Sequence, residues 1–95
     1  MAHRAYVLAN LDQGTERDGV VQVIRMMEQI DEVSFAEPVL GAFDLVVLVE
    51  SDSSVEQVVD KLSAIDKVRE LTSLKVDFLP ARERMWRNMS GIPSE

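Results

Sequence analysis

The sequence predicts an α+β domain with elements in the order β-α-β-β-α-β, followed by a short C-terminal helix. Three observations support this prediction. Four runs rich in β-branched and aliphatic residues are separated by turn residues. Two other segments place apolar residues at helical spacing. The chain has 95 residues, of which 46% are hydrophobic and 28% are charged, as in an ordinary globular domain.

The first half of the chain is expected to form a strand, a helix and a second strand. Residues 5–11 are a short β-rich run, and Thr15 is the expected N-cap of a helix that extends to about residue 30. The apolar stripe of this helix consists of Val20, Val23, Ile24, Met27 and Ile30. The second strand is expected over residues 33–40. Pro38 within it indicates a sheet edge, because proline cannot donate a ladder hydrogen bond.

The second half repeats this order with two strands around a helix. Residues 43–50 are the strongest strand of the sequence. Residues 51–54, Ser-Asp-Ser-Ser, are the expected capping cluster of the second helix, and Ser53 with Glu56 three residues later is the candidate capping box. The apolar stripe of this helix consists of Val55, Val58, Val59, Leu62 and Ile65. The last strand is expected over residues 68–79, and a short helix over residues 81–89.

Two crossover units of this kind predict a ferredoxin-like sheet, with both helices on one face and the first and third strands in the centre. The helices cover one face only, yet the central strands carry apolar residues on both. The first strand has Tyr6 and Leu8 on one side and Val7, Ala9 and Leu11 on the other, and the third strand is apolar on both sides in the same way. Soluble monomers avoid an exposed apolar patch of several hundred Å². We therefore predict a dimeric α/β barrel in which two sheets pack face to face. In the alternative, a monomer covers its sheet with residues 81–95.

Composition excludes several classes of function. A net charge of −7 opposes direct contact with nucleic acid or an anionic membrane. The chain has no cysteine, and no apolar stretch approaches the roughly 20 residues that span a bilayer, so we expect a cytoplasmic protein. His3 is the single histidine, and no metal-ligand spacing occurs. We expect neither a cofactor nor enzymatic activity.

Asp44 is the most unusual residue of the sequence, because it begins an otherwise apolar central strand. A carboxylate at such a place needs a hydrogen bond or an opposite charge. Two interpretations stay open. Asp44 caps backbone amides of the turn or pairs with an arginine, or it receives the ammonium group of a ligand.

The run Gly-Ala-Phe-Asp-Leu-Val-Val at residues 41–47 resembles the signature of the ligand-binding (RAM) domain of Lrp/AsnC transcription regulators. The resemblance covers residues 5–78 and includes the order of the elements. It implies a ligand-binding domain over residues 1–80 and a C-terminal helical tail over residues 81–95. It also implies the stand-alone version of the domain, without a helix-turn-helix. One departure is Lys67, where the family usually has glycine.

The resemblance further implies homo-oligomers, namely dimers and tetramers of dimers, with an amino acid or similar effector bound between subunits. The implied effector-binding residues are Gly41, Ala42, Phe43, Asp44, Leu71, Thr72 and Ser73. The implied function is to modulate transcription through a partner, such as a full-length Lrp/AsnC regulator. The first alternative is a small dimeric α/β-barrel enzyme, similar to a cofactor-free monooxygenase. A second is an RNA-binding sheet, which the acidic charge and the few aromatic residues on the strands disfavour.

Overall fold

The computed structural model describes residues 3–76, and these residues form one antiparallel sheet with two helices. The elements are β1 (His3–Leu11), α1 (Arg17–Glu28), β2 (Val33–Pro38), β3 (Leu45–Ser51), α2 (Val55–Ser63) and β4 (Val68–Lys75). The predicted order and the α+β, ferredoxin-like fold class are confirmed. The predicted helix over residues 81–89, the tail over residues 81–95 and the end of the last strand lie outside the described residues.

The strands lie in the order β2-β3-β1-β4, and all three contacts between neighbouring strands are antiparallel. The first and third strands are therefore central, as predicted, and β2 is an edge. Pro38 ends this edge strand, a register shift separates Val33 from Phe35, and the Glu28 carboxylate accepts a hydrogen bond from the Ala36 N–H (3.4 Å). These features make β2 a poor template for pairing with a further strand.

The hydrophobic core lies between the two helices and one face of the sheet. Val23 and Met27 of α1 and Val58 and Leu62 of α2 are each at most 2% exposed. They pack on alternate residues of the central strands, which are Val7, Ala9, Leu45, Val47 and Val49. Full burial of one such aliphatic side chain contributes about 1.5–3 kcal/mol, so this layer dominates the stability of the fold.

The predicted cap of α1 is wrong, whereas the cap of α2 lies within the predicted cluster of residues 51–54 but is not the residue of the candidate capping box. The Thr15 hydroxyl donates to the Asp12 carbonyl (2.6 Å) within the preceding turn, so α1 begins later and its N-cap, Glu16, makes no side-chain hydrogen bond. The cap of α2 is Ser54, which accepts from the Gln57 N–H (3.4 Å), and not Ser53. In the loop before α1 the Thr15 hydroxyl binds a carbonyl of the turn, and in the loop before α2 the Ser51 hydroxyl accepts from the Ser53 N–H. These local hydrogen bonds compete with capping, and each helix begins one residue later than expected.

The predicted bounds of β2 and β3 were too wide on either side of the loop that joins them. Strand β2 ends at Pro38 and β3 begins at Leu45. The Val39 N–H donates to the Asp44 carbonyl (3.0 Å), and this bond closes the loop. Leu40, which was predicted as strand, is fully exposed in the loop.

The approach to β4 is irregular. Lys67 has a φ of +77°, in the left-handed region that glycine adopts without cost. Its carbonyl accepts from the Asp12 N–H (2.9 Å), which joins this residue to the loop between β1 and α1. Just beyond it the register of β4 against β1 shifts, so that Glu70 pairs with Asn10 and Val68 with Leu11. Arg69 lies between these pairs as the extra residue of a β-bulge.

Candidate functional site

The sheet face opposite the helices carries apolar side chains, and no other element of residues 3–76 covers it. The strand register aligns two neighbouring rows across this face, which are Phe35, Leu48, Tyr6 and Leu74, and Glu37, Val46, Leu8 and Thr72. Leu74 is 52% exposed and Tyr6 is 40% exposed. Facing residues on adjacent strands lie about 4.5–5.5 Å apart, so the apolar members form one continuous patch. We call the surface formed by these two rows the open face.

One end of the open face is polar. The Ser34 hydroxyl donates to the Glu50 carboxylate (2.7 Å), and the Arg4 guanidinium binds the same group (3.0 Å). The hydrogen bond from Ser34 and the guanidinium of Arg4 together lower the pKa of Glu50 below its ordinary value. The group therefore stays ionised at neutral pH and forms a charged rim beside the apolar rows.

Asp44 extends the pairing of β1 beyond the start of β3. Its backbone N–H donates to the Ala9 carbonyl (2.9 Å), and its carboxylate accepts from the Leu11 N–H (2.8 Å). The side chain thus supplies the acceptor that the next backbone carbonyl of a longer β3 would have provided. This contact matches the capping interpretation. It engages one carboxylate oxygen, Oδ2.

A groove of about 430 Å³ adjoins Asp44 at this end of the sheet. Its walls are residues 10–15, which connect β1 to α1, together with Val20 and the Pro38–Val39 segment; Asp44 and Arg69 complete the lining. This volume is within the range typical of small-molecule sites. We call this feature the Asp44 groove.

The structure places the seven predicted effector-binding residues in three different environments. Only Asp44 lines the groove. Gly41, Ala42 and Phe43 form the loop before it, where Gly41 has a φ of +135° and open space around its Cα. The remaining three are on β4: Leu71 packs against the core, Thr72 lies on the open face opposite Leu8, and Ser73 is exposed opposite Val7. These environments do not form one site within a single chain. An effector site that uses all seven residues therefore stays a prediction, and it would require an assembly of several chains.

Sequence reasoning missed five polar residues of the groove, which are Asn10, Asp12, Gln13, Thr15 and Arg69. Asn10 and Asp12 end β1 and begin the following loop, and Arg69 enters from β4. Asn10 lies within the predicted first strand and Asp12 directly follows it, and polar residues where a central strand ends are candidates for a ligand site. Arg69 is in the groove because of the β-bulge, for which the sequence has no local signal.

Two further depressions, of about 230 Å³ and 450 Å³, lie at the opposite end of the sheet. One adjoins His3 and the start of α2, where the ammonium of Lys75 binds the Glu56 carboxylate. The other is acidic and is lined by residues 31–32 and 50–53. Among residues 3–76 there is no group of three or more side chains that could hold a metal ion. No helix within that range is long and apolar enough to cross a membrane.

Comparison of the structure with solved structures shows which fold this is. E. coli AsnC superposes with a TM-score of 0.70 and 20% identity, over 82% of this chain and 52% of AsnC. The hypothetical protein PHS023 from Pyrococcus horikoshii gives a TM-score of 0.66 and 21% identity, over 83% of this chain and 93% of its own. FFRP-DM1 gives 0.65 and 23%, over 79% of this chain and 99% of its own.

The resemblance to the Lrp/AsnC ligand-binding domain is therefore confirmed at the level of the fold. The chain spans about half the length of AsnC and nearly the whole of PHS023 and FFRP-DM1. No protein-family profile matches the sequence, and no curated protein does. At identities of 20–23% the comparison establishes the architecture, and function has to be argued from the residues.

Proposed function

We propose that this chain is an effector-binding and self-assembling module of the Lrp/AsnC transcription-regulator type. In this proposal it binds an amino acid or a similar small molecule at subunit interfaces and modulates transcription through a partner regulator. It has no catalytic role. The observation that carries the proposal is the open face, an apolar surface that no other element of residues 3–76 covers, on a fold shared with AsnC.

The size of the open face fits a dimer interface. Four strands about 4.8 Å apart and some six residues long give roughly 400 Å² per copy in projection. Two copies together cover roughly 800 Å², and the apolar part of this area contributes up to about 20 kcal/mol at 25 cal/mol per Å². Association costs about 4–15 kcal/mol, and side-chain ordering and the polar members of the rows, Glu37 and Thr72, reduce the gain further, so burial favours pairing but does not fix its affinity. The open faces of two copies are also the same surface, as a two-fold axis requires.

Effector binding is supported by the end of the sheet that holds Asp44. The loop of residues 39–44 and the start of β4 both flank the central strands there. A carboxylate, a guanidinium and an amide converge on one groove at this end. Such convergence of a few polar groups on a concave surface is typical of small-molecule sites.

Light scattering tests the assembly. The expected mass is at least twice the 10.7 kDa of one chain over a wide range of concentration. Addition of a pool of amino acids is expected to change the mass or to raise Tm, because a ligand that binds only the native state stabilises it. A lone 10.7 kDa particle at every concentration would refute the assembly. Unchanged mass and Tm with every amino acid would refute effector binding.

Native mass spectrometry tests the partner. The chain is mixed with a full-length Lrp/AsnC regulator from the same source, and mixed oligomers are expected. An unrelated dimeric regulator serves as the control and should give none. If only separate homo-oligomers form with every such regulator of that source, the proposed route to transcription is wrong.

A further inference from the structure

We propose that the charged rim of the open face sets how two copies pair, with the two-fold axis parallel to the strands and Arg4 of each copy bound to Glu50 of the other. The charged rim consists of Ser34, Glu50 and Arg4, which contact one another at one end of the face. This inference rests on the face-to-face assembly proposed above. It adds the orientation of the two sheets and the residues that select the partner.

The rim carries one cation and one anion on the two central strands. Arg4 pairs with Glu50 in the register of β1 against β3, and its Nε and Nη2 donate to Glu50 Oε2 (3.2 and 3.0 Å). The Ser34 hydroxyl donates to Glu50 Oε1 (2.7 Å). The side chains of Arg4 and Glu50 are nevertheless 43% and 40% exposed. A guanidinium has several N–H donors and a carboxylate several acceptor sites, so each group can bind across an interface as well as within its chain.

An axis parallel to the strands matches the contents of the rows. With this axis β1 of one copy covers β3 of the other, because the sheet order is β2-β3-β1-β4, and each row covers its own counterpart. Tyr6 then lies over Leu48 of the second copy, and Glu37 lies over Thr72 at the edges. Arg4 lies over Glu50 in both directions. Apolar, polar and charged positions therefore each meet their own kind, and the charges meet with opposite sign.

An axis across the strands gives a poorer match. Each strand would then cover its own counterpart in the opposite direction, so the first apolar row would lie over the second. Phe35 would cover Glu37 of the other copy, and Leu74 would cover Thr72. The charged rims would lie at opposite ends of the pair. Polar groups buried against apolar ones without a hydrogen bond are costly, so this orientation is disfavoured.

The rim therefore selects the partner by charge. Where two rims meet in the favoured orientation, each cation faces an anion of the other copy. A chain with like charges at these positions is rejected, because like charges across an interface suppress wrong partners. A regulator that forms mixed pairs with this chain would need a base on the first strand of its sheet and an acid on the third.

Two single charge reversals test this arrangement. Arg4→Glu leaves only acidic charge on the rim, and Glu50→Arg leaves only basic charge. Each variant alone is expected to dimerise about 10- to 100-fold more weakly than the unmodified chain at low salt. In an equimolar mixture, heterodimers should exceed their statistical proportion about 10-fold or more. Each chain has the same internal contacts in both kinds of dimer, so loss of the contact within a chain cannot produce this preference.

The double reversal Arg4→Glu/Glu50→Arg covers the case in which a single reversal does not fold. It keeps one cation and one anion within the chain, and it should form homodimers as tight as those of the unmodified chain. Mixed with the unmodified chain it should form few heterodimers, because like charges then face each other. Native mass spectrometry with one component isotopically labelled counts the dimers, and circular dichroism shows that each variant is folded.

Glu32→Lys and Lys61→Glu are the matched controls, because they reverse an ion pair (3.5 Å) between α2 and the segment before β2, away from the open face. Their mixture should give the statistical proportion of heterodimers. If the unmodified chain dimerises and the mixtures of rim variants are statistical as well, the orientation is wrong while the assembly stands. If the unmodified chain is a single chain at every concentration, the proposed function fails together with this inference.

Discussion

Replacement of Leu74 by arginine is expected to split the proposed dimer without unfolding the subunit. Leu74 lies on the open face of the edge strand β4 and is 52% exposed in the single chain. A charged side chain at this position can reach water when the chain is alone. In a face-to-face dimer the same side chain is forced into an apolar interface.

The size of the effect follows from burial and symmetry. Half of the leucine is still exposed, so the dimer gains about 1 kcal/mol per copy by covering it, from about 1.5–3 kcal/mol for full burial. The two-fold axis doubles this loss, and two guanidinium groups without partners add several kcal/mol. A total of about 4 kcal/mol or more raises the dimer Kd at least about 1000-fold.

Sedimentation velocity over a wide range of concentration measures this change. Met26→Arg is the matched control, because Met26 is 46% exposed and lies on α1, on the other side of the sheet. We expect the control to keep the mass of the unmodified chain and Leu74→Arg to sediment as a single chain with a folded circular dichroism spectrum. If Leu74→Arg is folded and keeps the assembled mass, the open face is not the interface.

Three further substitutions test local features of the fold. Lys67→Gly is expected to raise the free energy of unfolding by roughly 1 kcal/mol, because glycine adopts a φ of +77° without steric cost. A lower stability in urea would show that packing of the lysine side chain outweighs the backbone cost. Asp44→Ala is expected to lower the free energy of unfolding by about 1–3 kcal/mol, because it leaves the Leu11 N–H without its acceptor. Asp44→Asn should lose less in the same assay, and equal losses would contradict the capping role. The hydrogen bond from Lys75 is the largest cause that lowers the pKa of Glu56, from 4.5 to about 2. Stabilisation by this ion pair is therefore complete above pH 4.5 and is lost as the pH falls towards 2, so Glu56→Gln should flatten the decline of Tm across this range. Parallel Tm curves would rule this out.

The order of the elements and of the strands could be predicted because each depends on the periodicity of many residues. The stripe that contains Val23 and Met27 has the helical period, and the central strands are short apolar runs bounded by turn residues. Pro38 placed β2 at an edge because proline has no N–H to donate to the ladder, a reason that does not depend on the rest of the fold. Predictions of this kind stay correct even when one position of the pattern is misjudged.

The ends of the elements depend on single hydrogen bonds, and there the predictions were wrong. Thr15 donates to a carbonyl of its own loop instead of capping α1. Asp44 ends the loop before β3 because an N–H of β1 lies within reach of its carboxylate. Both outcomes depend on how neighbouring segments are placed, which a local pattern does not specify.

The Asp44 groove shows the same limit at the level of the site. Asp44 was singled out because a charge at the head of an apolar strand is anomalous in the sequence itself. Arg69 was not, because an arginine on an edge strand is ordinary until a β-bulge directs it into a groove. The one sequence signal near it was Lys67 in place of the usual glycine, and that residue does have a left-handed backbone.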